Sequence, residues 1–438
     1  MEVTIEDIST VKKILHIEIP LDVVMQEVDN AYDNLKKTAK LKGFRQGKAP
    51  RSVLESFFKK DVHADVSNKL LKDSFIDAIR EKDLKIIGDP QIEPPQLDEK
   101  SPFKYEATIE IRPEISDIDF KGLNLKKSIY PIGEKEIEAQ LKMLQKNLAQ
   151  QKTIEEARPA ATGDYALITY EGFKDGEPFK ETEKTENYTM KIGLGNFTNE
   201  FDNNVIGMNQ GENKEISIHF PEDYHNPKLA NLDIVFNVTL NEIREEILPE
   251  IDDELAKNFG ENKTLDELKN MIHQNLKIGY DKRVDQELNE QIFKDLISKS
   301  PFEVPETMIQ YELENIISDA ERSFAYHNTT LEAMGFTKEI LKEKYIDVAE
   351  KQAKRHLILD KIIEQEKLTL KDEELDDGFK KMSEEFNQSV EEIKQFYIQN
   401  TDRLNYFKQT LLEKSAINLI LEKSNIENVE PESTESKE

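Results

Sequence analysis

Seven glycines, at positions 163, 172, 176, 193, 195, 207 and 211, crowd into one stretch of a chain that has only 16. Glycine is the residue that accepts positive φ without a steric penalty, so this spacing marks a run of tight turns. Between the turns lie alternating strand patterns at 188–192, 214–220 and 233–243, and "RPAATGDYALITYEGFKDGEPF" opens the region with strand, Asp-Gly turn and strand signals. Residues 158–244 therefore predict a compact β-rich domain. Such a domain accounts for a small part of 438 residues, a length that suggests about three domains.

The flanks have different textures. Residues 10–19 alternate Leu15, Ile17 and Ile19 against polar neighbours, as a half-buried strand does. A helical period follows over 22–42, with Gly43 as its stop, and Pro50 opens the next helix at "RSVLESFF". A longer helix covers 61–82. Strands near 84–93 and at 103–111 complete an α+β domain over 1–111. Residues 112–157 read as a connector, with a strand at 123–130 and an exposed, charged helix at 134–150.

Beyond "LPEIDDELAKNFG" the pattern is helical to the end. Thr264 and Glu267 form a capping box for a helix to about Lys299, which Ser300-Pro301 breaks. Further helices are predicted at 306–326, 338–366, 372–386, 389–398 and 402–423, the fourth opened by a capping box of Ser389 and Glu392. Residues 245–428 thus predict an elongated all-α domain, and 429–438 a disordered tail. Leu265, Leu268, Ile272 and Leu276 form one apolar stripe; Ile309, Leu313, Ile316, Ala320 and Phe324 form another. Phe379, Met382 and Phe386, set among dense charge, are candidates for exposed apolar side chains.

Several chemistries have no residues to carry them. Without cysteine there are no disulfides, thiol nucleophiles or Cys-based zinc sites. The seven histidines, at 16, 63, 219, 225, 273, 327 and 356, show no metal-ligand spacing on a helix. "GFRQGKAP" is no Walker loop, because three residues separate its glycines and Ala49-Pro50 follow Lys48. "GLGNFT" lacks the third glycine of a dinucleotide fingerprint. No cofactor and no metal are expected. The N-terminus lacks a basic region leading an apolar run, and no stretch approaches the ~18 apolar residues of a membrane helix. The expectation is a cytoplasmic protein with no membrane partner.

The formal charge of -29 repels phosphate on average. Against it stands the window 34–54, "NLKKTAKLKGFRQGKAPRSVL", with no acid and seven bases: Lys36, Lys37, Lys40, Lys42, Arg45, Lys48 and Arg51. Phe44 at its centre is an aromatic of the kind that anchors interfaces. Gly43-Phe44-Arg45-x-Gly47-Lys48-x-Pro50 resembles the ribosome-docking signature of the bacterial trigger factor family, and the resemblance extends over essentially the whole chain. It implies an α+β ribosome-binding domain, an FKBP-type prolyl isomerase domain built as an antiparallel β domain with a short helix, and a helical chaperone domain with arms. The implied partners are exit-tunnel protein and rRNA of the large ribosomal subunit, nascent and unfolded polypeptides, and a second copy off the ribosome. Lys42, Phe44, Arg45, Gln46 and Lys48 would make the ribosome contact, with Gln46 where the family usually carries Lys.

The same resemblance covers 163–243 through "GDYALITYEG", "DGEPF", "KIGLGNF", "VIGMNQGE", "FPEDYH" and "VFNVTL". It implies peptidyl-prolyl cis-trans isomerase activity in a pocket lined by Tyr170, Phe179, Phe197, Thr198, Phe201, Tyr224 and Phe236. Tyr224 would donate to the peptide carbonyl. Rotation about a peptide bond faces a barrier of ~18–20 kcal/mol, and a dry aromatic pocket lowers it without an acid, base or nucleophile. Thr198-Asn199-Glu200 stands where the family has Ile-Pro-Gly, which predicts a wetter, charged floor and weakened isomerase activity. Two rival readings are a free isomerase with passive helices and an envelope chaperone of the SurA type. The departures at 198–200 count against the first; the basic loop and the N-terminus count against the second.

Overall fold

The computed structural model describes residues 1–431 apart from 43, 94, 96, 196, 223, 225, 227, 327 and 328, with the side chain of 332 also set aside. Gly43, His225, His327 and residues 432–438 of the tail, all invoked above, lie outside the described residues. The chain forms two compact units, one of residues 1–128 with 285–429 and one containing 129–284.

In the first unit, β1 (Glu2–Asp7), β2 (Lys12–Ile19), β3 (Ile86–Ile92) and β4 (Phe103–Ile111) make an antiparallel sheet in the order β1-β2-β4-β3. The register sets Leu15 opposite Ala107, Ile17 opposite Tyr105 and Ile19 opposite Phe103. These alternate positions all face inward. Helices α1 (Leu21–Thr38) and α2 (Arg51–Glu81) supply Val24, Val28, Tyr32, Leu54, Val62, Val66 and Leu70 to the same core. Helix α1 ends at Thr38, before the expected 42, with Ala39 extended as its C-cap. The two helices expected between 51 and 82 are one, because neither Gly nor Pro interrupts residues 51–81.

Strand β5 (Asn124–Ser128) pairs in parallel with a C-terminal strand, described below. The second unit begins with α3 (Glu134–Asn147) and β6 (Gln150–Thr153). Helix α3 is amphipathic, not merely exposed and charged: Leu141 is buried, and Ile137, Leu144 and Leu148 pack with it against Leu255, Ala256, Leu268 and Ile272. Next come β7 (Tyr165–Lys174), β8 (Glu177–Pro178), β9 (Thr185–Lys191), α4 (Asn199–Val205), β10 (Asn213–His219) and β11 (Asp233–Ile247). The sheet runs β10-β11-β7-β8, with β6 added to β11 and β9 to β7. Its inner face carries Ala166, Ile168, Ile216, Ile218, Ile234, Phe236, Val238 and Leu240, and α4 closes the core with Phe201 and Val205.

The helices follow: α5 (Asp253–Ala256), α6 (Leu265–Lys299), α7 (Glu306–Tyr326), α8 (Lys338–Gln365), α9 (Asp372–Phe386), α10 (Val390–Ile398) and α11 (Thr401–Glu422), then β12 (Asn425–Val429). Both capping boxes form. Glu267 N donates to Thr264 Oγ1 and Thr264 N to Glu267; Ser389 and Glu392 exchange the same pair of bonds. The two apolar stripes named from sequence are packed: Leu268 and Ile272 against α3, and Leu313, with the half-buried Ile309, Ile316, Ala320 and Phe324, in the cluster that holds Leu341 and Ala349 of α8.

Of the three residues expected to be exposed, Phe379 is 2% exposed and Met382 packs beside it, while Phe386 is 59% exposed. Phe379 instead joins Tyr397 and Phe407, its ring 5.0 Å from that of Phe407. Gly378 permits this approach of α9 to α11, since a Cβ there would lie 3.0 Å from both Phe407 and Leu411.

Candidate functional site

The basic loop is a turn braced on three sides. Phe44 N donates to Leu41 O at 3.1 Å and Lys48 N to Arg45 O at 2.9 Å. Gly47 takes φ +82°, and a Cβ would meet nothing within 4 Å, so its role is conformational. Leu41 and buried Ala49 root the loop in the core beside Ala39. Gln46 donates from Nε2 to Lys37 O at 3.0 Å, satisfying one of the carbonyls that a helix end leaves without a partner.

Below the turn, Arg51 ties α2 to α1. Its guanidinium reaches Glu55 at 2.7 Å and Asp29 at 2.5 Å, and stacks 4.9 Å above the Tyr32 ring. The hydrogen bond to Glu55, then that to Asp29, raises its pKa further. Arg51 is thus neutralised and belongs to the scaffold. Lys36, Lys37, Lys40, Lys42, Arg45 and Lys48 are exposed, and among the described residues none has a carboxylate within 4.0 Å. Phe44 stands out from the loop at 42% exposure. The structure therefore separates the expected set. Lys42, Phe44, Arg45 and Lys48 face outward on one turn, and Gln46 is turned back to hold it.

The second cluster is aromatic. Tyr170 on β7, Phe201 on α4 and Phe236 on β11 come together, as expected. Phe201 and Phe236 meet edge to face at 5.6 Å, and Tyr170 lies 6.1 Å from Phe236. Phe197 lies among them, 5.1 Å from Tyr170, 4.7 Å from Phe201 and 5.9 Å from Phe236. The hydroxyl of Tyr224 donates to Phe197 O at 3.1 Å, and burial pushes its pKa up. Phe179 packs at the margin of the same core, 5.9 Å from Lys174 Nζ.

Tyr188 was missed in the sequence. Its ring is 5.6 Å from both Tyr170 and Phe197. The signal was its alternation with Met190 and Ile192, both buried on the same face. Phe220 is a further ring, 4.7 Å from Tyr224 and 6.3 Å from Phe236.

The expectation for 198–200 is corrected in two respects. Thr198 is the N-cap of α4, its hydroxyl accepting from Phe201 N at 3.1 Å, so that oxygen is already satisfied. Glu200 is exposed on the first turn of α4, where a carboxylate suits the helix dipole.

Three family models match this chain. Residues 1–144 match bacterial trigger factor protein, 156–241 match FKBP-type peptidyl-prolyl cis-trans isomerase, and 264–422 match the bacterial trigger factor C-terminus. The trigger factor of Desulfosudis oleivorans is 49% identical over 432 residues, spanning 99% of this chain and 98% of that one. That of Desulfatibacillum aliphaticivorans is 48% identical over 439 residues and spans 100% of both. The chain belongs to the bacterial trigger factor family.

A solved structure of the trigger factor chaperone aligns with a TM-score of 0.48 and 20% identity over 96% of this chain and 99% of that one. In the trigger factor layout, the first model takes in the braced basic turn and the FKBP-type model takes in the aromatic cluster. Among the described residues no group of three or more His, Asp or Glu is placed to hold a metal ion, and no helix is long and apolar enough to cross a membrane.

Proposed function

We propose that this chain docks on the large ribosomal subunit at the exit tunnel through Lys42, Phe44, Arg45 and Lys48, and holds nascent chains without ATP. The single observation that carries the reading is the braced turn. It presents an exposed ring and unpaired cations on a chain whose formal charge is -29. Cations with no carboxylate neighbour need not break an ion pair before meeting phosphate, and the ring is free to enter a protein groove. Gln46 serves as a brace in this reading. The acidic remainder keeps the client-binding helices away from rRNA.

The domains follow as 1–111 for ribosome binding, 112–157 as connector, 158–244 as the isomerase domain and 245–428 for client holding. The site of action is the cytoplasm, and a homodimer forms off the ribosome. Holding needs exposed apolar side chains, and Tyr326, Phe386, Phe396, Ile398 and Tyr406 are all exposed. The FKBP-type domain acts as a weak prolyl isomerase through the box of Tyr170, Tyr188, Phe201 and Phe236, with Tyr224 as donor.

Cosedimentation with 70S ribosomes tests the docking. Replacing Phe44 and Arg45 with Ala should abolish it while leaving circular dichroism unchanged; undiminished binding would refute it. Protection of a denatured client from aggregation should be the same with and without ATP.

A further inference from the structure

Four rings of the isomerase domain, those of Tyr170 on β7, Tyr188 on β9, Phe236 on β11 and Phe201 on α4, converge on a common space. A prolyl ring would be expected to enter such a space, because an aromatic box is dry and contacts a saturated ring on all sides. In this chain the space is taken. Phe197 lies within 4.7–5.9 Å of all four centroids. Its backbone carbonyl also receives the Tyr224 hydroxyl at 3.1 Å, the bond a substrate carbonyl would need.

The loop that carries Phe197 is held in this position from both ends. On one side, Gly193 N and Gly195 N donate to the buried Asp202 carboxylate at 2.7 and 2.8 Å. On the other, Thr198 caps α4. The ring is therefore placed by the loop's own hydrogen bonds and does not depend on a ligand.

We propose that Phe197 is a built-in occupant of the isomerase pocket, its ring standing where the substrate's prolyl ring must go and its carbonyl where the substrate's carbonyl must go. This deepens the isomerase reading and rests on it for the identity of the pocket. The substrate must displace Phe197, and Tyr224 must exchange one carbonyl for another. Affinity is therefore set by a competition inside the chain. The walls are fixed to the sheet and to α4.

The test uses the full chain and the peptide Ala-Leu-Pro-Phe, with two readouts: the dissociation constant from NMR titration, and the cis/trans exchange rate. Phe197→Ala should tighten binding at least about tenfold, equivalent to about 1.4 kcal/mol. Phe197→Val, a smaller change that keeps the loop packed, should tighten it by less; it stands in if the alanine variant loses structure by circular dichroism. Tighter binding with no exchange catalysis in wild type or variant would uphold the plug and refute the isomerase reading. Unchanged or weaker binding in both variants would show that Phe197 is a wall of the pocket, and would overturn the proposal while leaving the isomerase reading intact.

Discussion

Asp202→Ala should unfasten the 193–197 loop and little else. Asp202 is 2% exposed, with Oδ2 accepting from Gly193 N at 2.7 Å and Gly195 N at 2.8 Å. Hydrogen bonds to a charged acceptor contribute about 1.5–3 kcal/mol each, so two of them amount to roughly 3–6 kcal/mol. A term of opposite sign comes from Oδ1, which is buried without a partner and costs about 1–3 kcal/mol. The alanine variant should lose the difference, roughly 2–3 kcal/mol. Asp202→Asn, which keeps a neutral acceptor, should lose about half as much. Amide hydrogen exchange of the full chain reads this out, because a local opening free energy is resolved peptide by peptide. Peptides covering 190–206 should lose protection while those of α7, α8 and β2 do not change. A loss below about 1 kcal/mol in 190–206 would refute the clamp, since removing even one buried partner exceeds that.

Other expectations follow from the same geometry. His356 on α8 is hydrogen-bonded to Glu413 of α11 at 3.0 Å and faces Glu312 of α7 at 3.7 Å, and the bond to Glu413 raises its pKa above 6.5. A raised histidine stabilises fully below about pH 6.5 and its contribution fades as pH rises through the folded value, so protection factors in α7, α8 and α11, taken relative to the intrinsic exchange rate at each pH, should fall as pH rises above 6.5, and His356→Gln should flatten that dependence. Glu110 accepts from Glu306 N at 3.1 Å and Thr307 N at 2.8 Å, capping α7 from β4; Glu110→Ala should cost about 1 kcal/mol, seen as faster exchange at 306–310. Replacing 158–244 with a short flexible linker should leave client protection in place; its disappearance while the remaining helices stay folded would contradict the separation of holding from isomerisation.

The elements that the sequence announces are those with local chemistry of their own. Helix α6 begins at its Thr264 box, α10 at its Ser389 box, and β4 alternates cleanly from Phe103 to Ile111. Strands β6 and β12 were not legible. "QQKT" and "NIENV" have little apolar pattern, and they become strands only because β11 and β5 offer an edge to pair with. Phe379 was misjudged because flanking charge reports a helix's outer face and says nothing of its inner one; Gly378 was the clue to close packing. Gln46 and Glu200 show the limit for sites. Family position placed both at the point of contact, yet one amide turns back to a helix carbonyl and one carboxylate points to solvent. Only the folded backbone decides such directions. Tyr188 was readable in principle from its period of two with Met190 and Ile192. Where the Phe197 ring sits among the others could not be read from the sequence, because it depends on a loop whose Gly193 and Gly195 amides are held by Asp202.

The docking claim is tested most directly by titrating the full chain onto isolated 50S and 30S subunits over a range of salt. The account predicts selective binding to 50S, weakening linearly in log–log with salt. Replacing Lys42, Arg45 and Lys48 with Ala should weaken binding and reduce the slope by about 3, one for each lost phosphate contact. Phe44→Ala should weaken binding at every salt concentration with the slope unchanged, because it removes a groove contact and no charge. Equal binding to both subunits, or a triple variant with the wild-type slope, would contradict the account.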